Sequence, residues 1–400
     1  MTTWGVRRWR RVPGVVGGAL LSLLTAVPAL AGQDTDTGRE CRDVQVPVAL
    51  APGQSADERI YGSLCTPSGR SPDTIQLLVH GATYTGLYWE FPDPSGGSDR
   101  YNYAAAANKA GFATLAIDRI GSGRSSHPLS TTITLESNAF TVHQVVAAIR
   151  RGQITAPDGK QFHKVVYVGH SYGTVVGWVL STDYGEDLDA VVFTANVRGV
   201  TVTALPLVYG SVYPAALDPR FAEDGLDPGY LTTVPGTRDE FLYKPARFDP
   251  ALVAFDEKTK STVTATELTS PRGLLNLPPL DVRVPTLLVV GSLDSQVCKE
   301  NFDAIPTVTG GGAGAVDALL APFEDAPLPL PQQVRLARLG GADCSSPETL
   351  IAYERPHLGP HVPSVDAFIL PGAPHDLNQA LNAEDYFTAV NDWIAATIDR

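Results

Sequence analysis

The chain is short of charge. Only 18% of its 400 residues are Asp, Glu, Lys or Arg, against 44% hydrophobic. That balance excludes an intrinsically disordered chain and a coiled coil, and it leaves ample apolar material for a large core. Cations are the scarcer sign: 30 Lys and Arg face 43 Asp and Glu, a net charge of −13. Such a deficit argues against nucleic acid and against anionic membrane surfaces as partners. Only four cysteines are present, Cys41, Cys65, Cys298 and Cys344. No close-spaced Cys/His pattern marks a metal site, and the sequence implies no metal or cofactor.

One long apolar stretch stands at the N-terminus. Arg7, Arg8, Arg10 and Arg11 precede a small, apolar run from Val12 to Leu30, and Ala29-Leu30-Ala31 has the A-x-A form of a cleavage site. Residues 1–31 therefore read as a secretory signal peptide. Pro13 and Pro28 interrupt the run, which fits cleavage better than a membrane anchor. No stable membrane insertion is expected after cleavage, and the protein is expected to be extracellular. The arginine pairs leave the export route open between the general and twin-arginine systems. In an exported chain an even cysteine count suggests two disulfides among three possible pairings. Cys41–Cys65 would staple the first two strands; Cys298–Cys344 would close a later loop.

The most informative stretch is Gly169-His170-Ser171-Tyr172-Gly173. It follows an apolar, β-branched run, Val165 to Val168, and precedes Thr174 to Leu180, which suits a helix packed on that strand. Strand, G-x-S-x-G, helix is the context of a nucleophile elbow. A strand that reverses sharply into a helix strains the backbone at Ser171 and pushes its hydroxyl out of the sheet's end. Gly169 and Gly173 leave the room this requires. The helix start behind it aims unpaired N–H groups at the same point, where an oxyanion can be held.

Other segments follow in order. Asp43 to Leu50 and Arg59 to Cys65 read as an opening antiparallel pair. Thr74 to Val79 is a short buried strand running into His80-Gly81-Ala82-Thr83. A helix from Tyr101 to Ala110 ends at Gly111. Phe112 to Ile117 is a strand that ends in Asp118-Arg119-Ile120-Gly121-Ser122-Gly123-Arg124-Ser125. Leu135 to Arg151 carries helical periodicity. Leu188 to Phe193 is a further buried strand.

Strand–His80-Gly81, strand–Asp118-Arg119-x-Gly-x-Gly-x-Ser and strand–Gly169-x-Ser171-x-Gly173, in that order, resemble the α/β-hydrolase superfamily. The resemblance runs from about residue 43 to the C-terminus. It implies an α/β fold with a mostly parallel central sheet flanked by helices, and a catalytic Ser, acid and His in that chain order. One oxyanion donor would be the Tyr172 N–H. The other would come from the loop after the earlier strand, at Ala82, with Thr83 as the alternative. His80 would be a structural histidine under that loop.

The acid should follow a later strand. Val284 to Val290 is that strand, and Asp294 lies just past its C-terminal end, on the elbow's side of the sheet. Its role would be to hold the imidazole's tautomer and stabilise the imidazolium. Asp281 precedes the strand, and Glu300 is the weaker alternative. The base comes last: Asp366 to Leu370 is a strand, and Pro371-Gly372-Ala373-Pro374-His375-Asp376 is the turn after it. His375 can reach Ser171 at the shared rim. Asp376 reads as a cap of that loop. A final helix runs from Ala383 to Ile398.

These assignments divide the chain into the signal peptide (1–31), a first core part (32–196), a cap (197–282), a second core part with the acid (283–298), an irregular insertion (299–365) and a last core part (366–400). The cap is expected to be largely helical. Its aromatics, Tyr209, Tyr213, Phe221, Tyr230, Phe241, Tyr243, Phe248 and Phe255, are expected partly to wall an apolar pocket and partly to fill the cap itself. The second insertion holds Gly310 to Gly314 and a proline-rich run, Pro322 to Pro331.

The expected function is a secreted serine hydrolase that cleaves a carboxylic ester with an apolar part through an acyl-enzyme on Ser171. A lactonase or thioesterase would use the same parts. An amidase or exopeptidase is the nearest alternative. Dehalogenases and epoxide hydrolases of this fold place Asp at the elbow, so Ser171 argues against them. A non-catalytic binding protein on the same scaffold usually lacks a triad member, and all three are present here.

Overall fold

The computed structural model describes residues 38–198, 208, 210–270, 280–299 and 341–398. The stretch read as a signal peptide, Tyr209, Glu300, Gly310 to Gly314 and Pro322 to Pro331 lie outside the described residues.

An eight-stranded sheet carries the fold, in the order β1-β2-β4-β3-β5-β6-β10-β11. Its strands are β1 (Arg39–Val48), β2 (Glu58–Pro67), β3 (Thr74–Val79), β4 (Ala113–Ile117), β5 (Lys164–His170), β6 (Ala190–Thr194), β10 (Thr286–Gly291) and β11 (Val365–Leu370). β1 and β2 run antiparallel to each other and β2 antiparallel to β4; the remaining pairs are parallel. The central strands are continuous apolar runs because both faces are covered. Alternate residues serve opposite faces. Ile75, Leu77, Val79, Val165 and Tyr167 join one core cluster, while Leu78, Val166 and Val168 join the other.

Helices cover both faces. α2 (Leu135–Arg150) and α3 (Tyr172–Asp183) supply Val142, Val145, Val175 and Val176 to the first cluster. α1 (Tyr103–Lys109) and the C-terminal helix (Ala383–Ile398) supply Ala104, Ala107, Tyr386 and Val390 to the second. Local signals set their ends. The Asn102 side chain accepts from the Ala105 N–H and caps α1. Thr134 and Ser137 form a reciprocal capping box on α2. Gly111, at φ +99, lets the chain leave α1 for β4. Among the described residues no helix is long and apolar enough to cross a membrane.

Two disulfides form, Cys41–Cys65 and Cys298–Cys344. The first joins residues directly opposite each other in the β1–β2 ladder.

Both insertions depart from expectation. Among the described residues the cap is not largely helical. It contains a three-stranded sheet of β7 (Val212–Pro214), β8 (Tyr230–Thr233) and β9 (Val263–Thr264), beside α4 (Pro250–Thr259), the one-turn α5 (Ala265–Leu268) and a single π turn at Asp239–Tyr243. β-Branched Thr232, Thr233, Val263 and Thr264 favour strand, and Pro219, Gly225, Pro228 and Gly229 interrupt any helix between β7 and β8. The cap's aromatics are largely committed to packing. Phe221 and Tyr230 enter one core cluster, and Phe241 and Tyr243 the other. The second insertion is not wholly irregular: α6 (Pro347–Leu358) is capped by a Ser346–Thr349 box and packs Leu350 and Leu358 into the core. The C-terminal helix is α7.

Candidate active site

Ser171 sits between β5 and α3 with φ +51 and ψ −117. A non-glycine residue adopts that conformation only where its surroundings enforce it. Close backbone packing enforces it here. A Cβ on Gly173 would lie 2.2 Å from the Val79 carbonyl oxygen, and one on Gly169 would lie 2.7 Å from the Gly173 carbonyl group. The Ser171 N–H donates to the Thr194 carbonyl at 2.9 Å. The Thr174 hydroxyl lies 2.9 Å from the Gly169 and Thr194 carbonyl oxygens and accepts the Thr194 N–H at 3.0 Å. The elbow is thus locked to β6 on one side and to the end of β3 on the other.

The end of β3 also brings Gly81 against Ser171: a Cβ there would stand 3.1 Å from Ser171 Cβ. Ala82, half-buried, follows at once. His80 is fully buried. Its Nε2 accepts the Arg119 N–H at 3.0 Å, so its Nδ1 carries the hydrogen that points at the Gly81 carbonyl, 2.8 Å away. Burial, and then the Arg119 charge, hold its pKa well below the ordinary histidine value. His80 is a neutral brace of this loop and does not face Ser171.

β10 and β11 deliver the other two groups. Asp294 is fully buried in the turn after β10. Its Oδ1 accepts the Gln296 N–H at 3.0 Å. The loop after β11 crosses the end of β10 so closely that a Cβ on Gly291 would fall 2.3 Å from the Ala373 oxygen. The Leu293 N–H donates to that same oxygen at 2.9 Å. His375 is thereby placed with Nδ1 2.9 Å from Asp294 Oδ2 and Nε2 2.8 Å from Ser171 Oγ. Burial pulls the imidazole's pKa down, but the Asp294 carboxylate outweighs it and the net shift is upward. Ser171, His375 and Asp294 form one continuous hydrogen-bonded line. Asp281, half-buried at the other end of β10, pairs instead with His361 and Arg283.

Asp376 does not cap its loop: its side chain makes no cap hydrogen bond. It is fully buried and contacts the Tyr84 hydroxyl. The Ala373, Asp376, Leu377 and Gln379 N–H groups are met by backbone oxygens, and those of Gly372 and Asn378 by the Ser292 and Tyr88 hydroxyls, so the carboxyl is free to turn inward. Sequence reasoning also missed two buried ion pairs, one that docks the cap on the core and one within the cap. Arg119 meets Glu267 with both side chains buried, and the guanidinium stands 4.8 Å above the Tyr172 ring. Arg238 grips Asp256 through two 2.8 Å bonds and also reaches Thr83 at 3.0 Å. The Asp118-Arg119 loop was visible as a motif, but its partner lies 148 positions away with nothing local to mark it.

Among the described residues the one group of metal-ligand type is Cys41, Cys65 and Glu90. Both sulfurs are bonded to each other, so no thiolate pair is there to hold an ion.

A model of the alpha/beta hydrolase family matches residues 76–393. No curated protein matches. Similar solved structures include the epoxide hydrolase VrEH1 from Vigna radiata, at 17% identity over 90% of this chain and 99% of that one, TM-score 0.46. A bromoperoxidase from Bacillus anthracis shows 16% identity over 90% of this chain and 100% of that one, TM-score 0.47. A proline iminopeptidase from Mycobacterium smegmatis shows 15% identity over 89% of this chain and 98% of that one, TM-score 0.46. Likenesses this distant say nothing about substrate.

Proposed function

Because the chain belongs to the alpha/beta hydrolase family, we propose that it is a serine hydrolase acting on a carboxylic ester. The observation that carries this reading is the unbroken contact from Ser171 Oγ through His375 to Asp294, at 2.8 and 2.9 Å. Ser171 Oγ attacks the ester carbonyl while His375 Nε2 takes its proton. Asp294 keeps the Nδ1 hydrogen in place and stabilises the imidazolium. The Tyr172 and Ala82 N–H groups receive the oxyanion. His375 returns the proton to the departing alcohol, and water, activated by the same imidazole, releases the acid from the acyl-enzyme. A lactone or thioester would follow the same path.

The nucleophile's identity separates this reading from epoxide opening, which hydrolases of this fold carry out with an aspartate at the elbow. An amidase or exopeptidase would use the same three residues but must protonate a poorer leaving group. The N-terminal sequence and the two disulfides favour export, since such bonds persist in oxidising compartments.

Fluorophosphonate labelling of the full chain tests the mechanism: a covalent adduct on Ser171 is expected. An intact, folded protein that forms no adduct would instead be a binding protein on this scaffold. A panel of esters graded by acyl and alcohol size, with an amide control, separates esterase from amidase.

A further inference from the structure

Beneath the Ser171–His375–Asp294 line lies a second set of buried titratable groups that the mechanism above does not use. Asp376 follows the base directly in the chain. Its Oδ2 contacts the Tyr84 hydroxyl, and that same hydroxyl is 3.0 Å from Asp256 Oδ2. Asp256 Oδ2 is also met by the Tyr243 hydroxyl at 3.0 Å, and its two oxygens take the paired N–H groups of Arg238. The Asp376 Oδ1 is 3.4 Å from His170 Nε2, and neither of those two atoms has a hydrogen-bond partner.

Counting protons exposes a conflict. Tyr84 has one hydroxyl hydrogen and two carboxylates within reach. Asp256 has other donors and an adjoining guanidinium; Asp376 has neither. His170 cannot supply the missing charge. Burial, and then the neighbouring His375, hold its pKa well below the ordinary value, so it stays neutral. A proton on Asp376 resolves the conflict. The carboxyl then donates to Tyr84, Tyr84 donates to Asp256, and Arg238 closes the chain.

We propose that Asp376 is a positioning residue for His375, taking up and releasing a proton with pH and, through Tyr84, tying the histidine loop to Asp256 and Arg238 of the cap. This rests on His375 being the general base. The groups that face Asp376 are Tyr84 from the loop after β3, Tyr88 beyond it, His170 from β5, Asp294 after β10, His375 beside it, and Arg238, Tyr243 and Asp256 from the cap. Consistent with the geometry, burial pushes the Asp376 carboxyl up to about 6, against the pull of His375 and Tyr84. When ionised it raises the basicity of His375; when protonated it completes the link to the cap.

Two measurements test this. In the Ser171→Ala protein, infrared difference spectra on acidification from pH 8 to 5 (a range set to span the about one-unit spread expected of such groups) should show a carboxylic C=O band. The band should be smaller by one carboxyl in Ser171→Ala/Asp376→Asn, the remainder including Glu354, whose pKa burial raises to about 7. This arm needs no turnover, so it survives even if the ester reading fails. The second arm follows the rate of fluorophosphonate labelling of Ser171 against pH. Asp376→Asn removes a negative charge beside His375, so the acid limb should move to lower pH by about one unit. A band of equal size in both infrared samples, no band in either, or an unmoved limb in folded Asp376→Asn overturns the proposal. Should Asp376→Asn not fold, Tyr84→Phe keeps the carboxyl but removes the oxygen it donates to. One component of the C=O band should then move to higher frequency, and a band in which no component moves overturns the proposal equally. Failure of the ester reading would show separately, as an absence of any adduct on wild-type Ser171.

Discussion

Replacing Asp294 with Asn changes one atom of the site, and the structure dictates the consequence. Asp294 presents Oδ1 to the Gln296 N–H at 3.0 Å and Oδ2 to His375 Nδ1 at 2.9 Å. An asparagine must offer an NH₂ on one of those sides. Facing Gln296, two donors would oppose each other, and the backbone N–H cannot retreat. Facing His375, the conflict is relieved cheaply, because the imidazole can shift its hydrogen from Nδ1 to Nε2. The second arrangement should therefore prevail, and it leaves Nε2 unable to accept the Ser171 proton. The shape is kept while the base is disabled, and kcat should fall by about 10⁴-fold, equivalent to about 5.5 kcal/mol of transition-state stabilisation. Hydrolysis of an activated ester, read beside circular dichroism and a melting curve, measures it. The acid limb should also move to lower pH, since burial of His375 persists after the carboxylate that opposes it has gone. A folded Asp294→Asn protein within tenfold of wild type would refute the argument.

Ser171→Ala and His375→Ala should each lower turnover by several orders of magnitude with the fold intact; retained activity in Ser171→Ala would end the serine mechanism. Because the His375 pKa is raised, wild-type kcat/KM should fall as pH drops through a value above 6.5, the ordinary histidine figure. The same shift adds stability that is complete below the unfolded histidine value and is lost as pH rises through the folded one, so the stability gap between wild type and His375→Ala in chemical denaturation should narrow at alkaline pH. Glu267→Ala strands the buried Arg119 guanidinium and should cost about 3–5 kcal/mol in urea unfolding; a loss below about 1 kcal/mol would mean that water or another acid takes its place.

Much of this protein follows from short-range pattern alone. Thr74–Val79 and Ala383–Ile398 fall where they were expected, because a short apolar run suits a strand covered on both faces and a long amphipathic one suits a helix. Gly169 and Gly173 were legible for the same reason: a reversal that tight tolerates no side chain, and the contact distances show why. The order Ser171, Asp294, His375 could be read from the ends of three strands. Their meeting could not, since partners 204 and 81 positions apart converge only once the sheet has set its strand order. The cap shows the opposite case. Its Thr- and Val-containing strands form against each other across long, irregular connections, and no repeating period announces them. The buried charges were the least legible. Arg238, Glu267 and Asp256 look like ordinary surface residues in the sequence, because a charge is tolerated inside only when a partner arrives to meet it, and which partner arrives is decided by tertiary packing.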